Sequence, residues 1–203
     1  MADASHLAYR PGPLGRSNTA PGLSVRELTQ FSLATVIARK GMATAASQRA
    51  QAALGTPLPE QPRMTAGNPF AFVWSGPAQW LALGPALSQP VEHVLDATLG
   101  AHASIFDQSG SRRLLELHGP NVREVLAKGM SIDLHPRAFK TGDAAVTTAS
   151  HLGVHLWQVA DAPVYRLLVV HTYFDSLWRW LAASAAEFGC DVQTPTPYSS
   201  HWA

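Results

Sequence analysis

Cysteine is nearly missing from this sequence: Cys190 stands alone. One thiol closes no internal disulfide and builds no cysteine-based metal cage. Charge is scarce as well. Asp, Glu, Lys and Arg make up 14% of the 203 residues, against a usual share of about 25%. Thin polar cover fits either a large apolar core or a surface buried against partner chains. There is no basic surplus. The net charge is +1 with nine histidines, which argues against nucleic acid as a partner, because phosphate neutralisation needs an excess of Lys and Arg. No unbroken apolar run reaches the roughly 18 residues of a membrane-spanning helix, so no membrane contact is expected. The start of the chain lacks the apolar core of a signal peptide, and a cytoplasmic location is the expectation.

Several motifs of chemistry are also absent. No G-x-G-x-x-G or G-x-x-x-x-G-K-[ST] occurs, so neither a dinucleotide fold nor a phosphate-binding loop is encoded. Flavin or NAD chemistry would have to belong to another chain. No G-x-S-x-G elbow occurs, and the SGS of 109–111 reads as a turn. His151 and His155 have i, i+4 spacing, but Gly153 and nearby β-branched residues favour a strand and turn over a helix. They are expected to be surface or hairpin histidines, not metal ligands. Cys190 reads as a small buried apolar group. No catalytic, cofactor-binding or metal-binding residue is therefore assigned.

What is present is a regular order of elements. Residues 1–22 are rich in proline and glycine and read as an extended tail. The capping-box spacing from Ser24 to Glu27 predicts a helix start. FSLATVIAR (31–39) predicts a buried strand. The Ala- and Gln-rich stretch 43–54 predicts a helix that Gly55 stops. Residues 56–69 read as a proline-rich loop. FAFVW (70–74) and QWLAL (79–83) predict a hairpin about Gly76-Pro77. Residues 89–99 have helical periodicity, and SIFDQ (104–108) predicts a strand. The order then repeats: a strand over 112–119, a helix over 121–129 opened by Pro120, three strands near 144–151, 154–160 and 164–170, and an amphipathic helix over 174–189. The fold class is α+β, with two related halves, 23–110 and 111–190, each an antiparallel-rich sheet covered by helices. Residues 191–203 form a C-terminal tail.

One stretch draws attention, VLAKGMSIDLHPRAF (125–139). The surrounding segment 112–140 holds six basic residues against Glu116, Glu124 and Asp133. In MSIDLHP, polar and apolar residues alternate, and Pro136 pushes His135 toward extended geometry. Extended, Asp133, His135 and Arg137 share one face, while Met130, Ile132, Leu134 and Pro136 dock inward. The polar face lacks a nucleophile, and residues i and i+2 on one strand face lie about 7 Å apart. A structured loop with an Asp133–Arg137 or interchain ion pair is expected. Among the tryptophans, Trp178 and Trp180 diverge by about 200° on a helix, so one of them is expected to meet another surface. Trp202 is a third candidate for such contact. The candidate interface residues are thus Asp133, His135, Arg137, Trp178 and Trp202.

LHGPNVREVLAKGMSIDLHPRAF (117–139) resembles the γ subunit of heterotetrameric sarcosine oxidase. FVWSGPAQWLALGP (72–85) is similar to the same family's W-x-GP-x-x-W-L segment, and 154–181 resembles its strand–strand–helix. The resemblance covers most of 24–189. It implies a fold like the folate-binding region of the glycine-cleavage T-protein. It implies a complex with α, β and δ subunits, chiefly α, that converts sarcosine to glycine with H2O2 and 5,10-methylenetetrahydrofolate. FAD, FMN, NAD and tetrahydrofolate are expected in the other subunits. T-proteins usually carry acidic residues where Val154 and His155 follow Gly153, and an Asn where His171-Thr172 stand. This chain is therefore expected to be a non-catalytic scaffold. The alternatives are the equivalent subunit of a related N-methyl amino-acid oxidoreductase and a free-standing folate-dependent aminomethyltransferase.

Overall fold

The computed structural model describes residues 9–16 and 20–199. In chain order its elements are β1 (Gly12–Leu14), β2 (Leu23–Thr29), β3 (Phe31–Ala38), α1 (Ala43–Leu54), β4 (Met64–Thr65), β5 (Ala71–Gly76), β6 (Gln79–Pro85), α2 (Val91–Leu99) and β7 (Ala103–Asp107). There follow β8 (Arg112–His118), α3 (Val122–Ala127), β9 (Ala144–Ala149), β10 (Leu152–Ala160), β11 (Val164–Val170), α4 (Phe174–Ala185), β12 (Cys190–Val192) and β13 (Thr196–Pro197). The described residues gather into two units, one of 9–16, 20–28, 112–141 and 147–196, the other of 29–111, 142–146 and 197–199. Both are α+β, with antiparallel-rich sheets and two helices each.

The second unit carries the sheet β4-β5-β6-β3-β7, antiparallel throughout. Its core gathers Val36, Phe70, Phe72 and Trp80 with the inner faces of both helices, Ala46 and Ala50 from α1 and Val91, Leu95 and Leu99 from α2. The spacing of those residues at four positions makes one apolar stripe per helix. Helix α1 spans the predicted residues and ends where Gly55 turns left-handed at φ 70°, its N–H returning to the Gln51 carbonyl. Only glycine takes that conformation without strain.

The larger sheet, most of it in the first unit, has the order β1-β12-β2-β8-β11-β10-β9, with β13 also pairing β2. Strand β12 runs parallel to β2 and antiparallel to β1. The helix start predicted at Ser24–Glu27 is corrected here, because the segment is strand β2. Leu23, Val25 and Leu28 are buried along it, and pairing with β8 overrides the local capping signal. The reading of the N-terminal stretch as a tail is corrected for residues 12–16, while residues 1–8 and 17–19 lie outside the described residues. Gly12–Leu14 adds a strand to the sheet, and the Arg16 N–H bonds to the Ala186 carbonyl at 2.8 Å. Residues 191 and 192, read as C-terminal tail, belong to β12.

Helix α4 buries Phe174, Leu177, Trp178, Leu181, Ala182 and Ala185, and α3 buries Val122, Val125 and Leu126. The indole of half-buried Trp180 lies over Gly129, just beyond α3. A Cβ added there would stand 2.5 Å from Trp180 Nε1. Gly129→Ala is expected to cost about 1–3 kcal/mol by overpacking. Thermal unfolding of the Gly129→Ala and Gly129→Ala/Trp180→Leu chains checks this: the double variant should recover most of the lost stability.

Candidate functional site

Three adjacent strands of the first unit place opposite charges in register. Arg26 on β2 pairs with Glu116 on β8, which pairs with Arg166 on β11, and Trp157 on β10 comes next. The Arg26 Nη2 donates to Glu116 Oε1 at 2.5 Å, and Arg166 donates to Oε2 from Nε at 3.1 Å. Glu116 is 8% exposed and Arg166 4%. Burial pushes the Glu116 carboxyl up. The Arg26 hydrogen bond and the charge and hydrogen bond of Arg166 outweigh that, and the group titrates below its ordinary 4.5. The carboxylate is committed to structure.

A second pair lies near the N-terminal end of α4. Arg113 donates to both Glu27 oxygens at 2.6 Å and stacks 3.2 Å over the Phe174 ring. The Tyr9 hydroxyl accepts the Glu27 N–H at 2.8 Å and donates to the Gln193 carbonyl at 3.2 Å. Its ring meets Phe174 and Trp178 edge-on, with centroids at 5.9 and 4.8 Å. Tyr9 thus ties β2, α4 and the segment after β12 together.

His151 and His155 divide as a turn and a strand would place them. His151 is exposed in the β9–β10 turn at φ 70°. His155 is a hairpin histidine, opposite Leu168 in the β10–β11 pair, but it is not at the surface: it is 8% exposed. Burial, aided by the Arg112 charge, lowers its pKa to about 4, so the ring is neutral at pH 7. Cys190 is buried, and burial with the Asp191 charge pushes its thiol up to about 12. A thiol held protonated is no nucleophile. Among the described residues no three of His, Cys, Asp and Glu gather into a metal-binding group.

The sequence-predicted interface residues fall in different places. Residues 131–134 are irregular and 135–139 form a turn, so the extended strip is corrected. Asp133 Oδ1 accepts the His135 N–H at 2.8 Å, and His135 Nδ1 accepts the Arg137 N–H at 3.2 Å. Such short-range bonds close a turn where an extended strand would need a ladder partner. Asp133, His135 and Arg137 are still brought together, all exposed, while Met130, Leu134 and Phe139 are buried beneath. Pro136, expected to dock inward, is exposed. Asp133 and Arg137 make no ion pair with each other. Trp178 is corrected: at 2% exposed it spends its area inside this chain, and Trp180 is the half-exposed member of the pair. Trp202 lies outside the described residues.

The second unit holds a feature that sequence reasoning missed, a cleft of about 310 Å³. Trp74 and Trp80, cross-strand partners on the β5–β6 hairpin, line it with Ser47 and Thr44 of α1 and Glu60 of the 56–63 loop. Two bonds pin the loop. The Trp80 Nε1–H donates to the Pro59 carbonyl at 2.7 Å, and the Ser47 hydroxyl both accepts the Leu58 N–H and donates to the Leu58 carbonyl at 3.1 Å. The signal was in the W-x-GP-x-x-W spacing, which sets two indoles opposite each other across a tight turn.

The fold is of a known class. The chain is similar to the glycine cleavage system aminomethyltransferase T from Bartonella henselae, with TM-score 0.53, 14% identity, and coverage of 79% of this chain and 45% of that one. It is also similar to a chain of the heterotetrameric sarcosine oxidase from Corynebacterium sp. U-96 in complex with pyrrole 2-carboxylate. That match has TM-score 0.73 and 27% identity, and covers 82% of this chain and 85% of that one. A model of the Sarcosine oxidase, gamma subunit family matches residues 38–187. Sarcosine oxidase subunit gamma of Arthrobacter sp. is 34% identical, over 91% of this chain and 89% of its own. Its counterpart from Corynebacterium sp. (strain P-1) is 31% identical, over 93% and 91%. The chain belongs to the sarcosine oxidase gamma subunit family.

Proposed function

We propose that this chain is the γ subunit of a heterotetrameric sarcosine oxidase. That complex oxidises sarcosine, with O2 and tetrahydrofolate, to glycine, H2O2 and 5,10-methylenetetrahydrofolate. The observation that carries the proposal is near-full-length similarity to γ subunits. Within the complex the chain is a scaffold without a catalytic site of its own, packed on the α subunit, with β and δ completing the assembly in the cytoplasm. FAD, FMN, NAD and tetrahydrofolate belong to the other subunits. Two facts favour the scaffold role. The buried Glu116 and the partly buried Glu27 are paired with arginines, and the buried His155 and Cys190 stay neutral. None is left poised for proton transfer at neutral pH.

Coexpression with and without this chain tests the proposal. Its omission should abolish recovery of the complex, measured by native mass. Assembly and normal turnover of the other three subunits alone would rule the scaffold role out. Calorimetry with tetrahydrofolate on this chain should show no binding; micromolar binding would favour the aminomethyltransferase reading.

The exposed turn at Asp133, His135 and Arg137 is proposed as part of the contact with α, together with Trp202. Because Nδ1 of His135 accepts the Arg137 N–H, the neutral ring carries its proton on Nε2, which leaves that nitrogen a donor. Arg137→Ala is expected to weaken association about tenfold, roughly 1.4 kcal/mol, while leaving the melting temperature of the isolated chain unchanged. Subunit-exchange rates measured by native mass spectrometry check this.

A further inference from the structure

We propose that the cleft between α1, the 56–63 loop and the β5–β6 hairpin is a recognition site for an organic ammonium group. Four observations converge. Trp74 and Trp80 stand opposite each other on neighbouring strands and both line the cleft; Trp80 is 3% exposed and forms its floor, so half-buried Trp74 offers the accessible indole. Indole faces attract a cation through their quadrupole, tryptophan most of all among the aromatic residues. Glu60 lines the same space, is exposed, and has neither an ion pair nor a hydrogen bond among the described residues. No Lys, Arg or His lines the cleft, so its only full charge is negative. The first turn of α1 contributes Ala43 and Thr44, and the partial positive charge of a helix start, about half an elementary charge, is smaller than that of the carboxylate.

The cleft is also formed in advance. The loop cannot close over it or drift from it without breaking the Trp80–Pro59 or Ser47–Leu58 bonds. A pre-organised wall spares the ordering cost of binding. Its volume of about 310 Å³ suits a small ligand or one side-chain head. The matching chemistry is a compact methylated or alkylated ammonium. It can arrive as a free amine or as the head of a cationic side chain from a neighbouring subunit.

Calorimetry on the full-length chain, alone and in its copurified complex, distinguishes these sources. The probes are choline and its neutral isostere 3,3-dimethyl-1-butanol. Choline should bind the isolated chain with a Kd of about 1 mM, as expected of a shallow cation–π site, and the isostere at least tenfold more weakly. Trp74→Ala and Glu60→Gln should each weaken choline binding about tenfold with unchanged unfolding temperature. Binding to the isolated chain that vanishes in the complex identifies a neighbouring subunit's side chain as the occupant; binding in both identifies a free amine. Equal affinity for choline and the isostere, indifference to both variants, or no choline binding at all by the isolated chain would overturn the assignment.

Discussion

Glu116→Ala should be among the most damaging single substitutions in this chain, costing about 3–5 kcal/mol. The carboxylate answers two guanidinium groups, from Arg26 and Arg166. Without it, the Arg166 side chain, only 5% exposed, is a charge left inside the protein with its principal counter-ion gone. The three partners are not equivalent. The Arg26 side chain is 35% exposed and can turn to water, so Arg26→Ala should cost about 1 kcal/mol or less. Urea unfolding of the two variants separates them. A Glu116→Ala chain within 1 kcal/mol of the parent would mean that Arg166 finds other compensation at no cost. Glu116→Leu with Arg166→Met removes both charges and should recover much of the loss, since an apolar replacement of a buried pair is often neutral.

Acid should act on the chain first through His155. Its folded pKa of about 4 lies below the ordinary 6.5. Between those values the unfolded chain binds a proton and the folded one does not. The stabilisation is complete above pH 6.5 and is lost as pH falls toward 4. The full difference amounts to about 3 kcal/mol. Glu116 also has a lowered pKa and contributes in the same direction, but only as pH falls below about its ordinary 4.5. The window between pH 6.5 and 5 therefore reports chiefly on His155. Denaturant midpoints in that window should fall steeply for the parent and stay nearly flat for His155→Gln. Equal slopes for both chains would place the acid sensitivity elsewhere.

How much of this was legible in the sequence depends on what each feature is made of. Helix α1 and its stop at Gly55 were legible because composition and a left-handed terminal residue are local properties. So were β3, the β5–β6 hairpin and the order of the later strands, where apolar runs and the Gly76-Pro77 turn leave few choices. The strand β2 was not. Ser24 and Glu27 have a helical capping spacing, and only the pairing of β2 with the distant strands β8 and β12 decides against it. Register also hid the Arg26–Glu116–Arg166 row, since three residues so far apart in sequence give no periodic signal. The 130–139 turn failed for a different reason. Alternation there is real, as burial of Met130 and Leu134 demonstrates, but Asp133 and His135 bond to backbone two residues on and curl the chain. At α4, helical geometry correctly separated Trp178 from Trp180; Trp178 is the one on the buried face with Phe174, Leu181 and Ala185, and it also meets Tyr9, a residue of the presumed tail.

The place of β12 sets a timetable for biosynthesis. Cys190 lies beside Leu23, and on its other side the same strand holds Leu14. A ribosome delivers β1 and β2 early, with a gap between them the width of one strand. That gap closes only when β12, about 160 residues further along the chain than β2, has emerged. Until then the nascent chain exposes an unpaired edge of β2, the kind of edge on which strands from other molecules add.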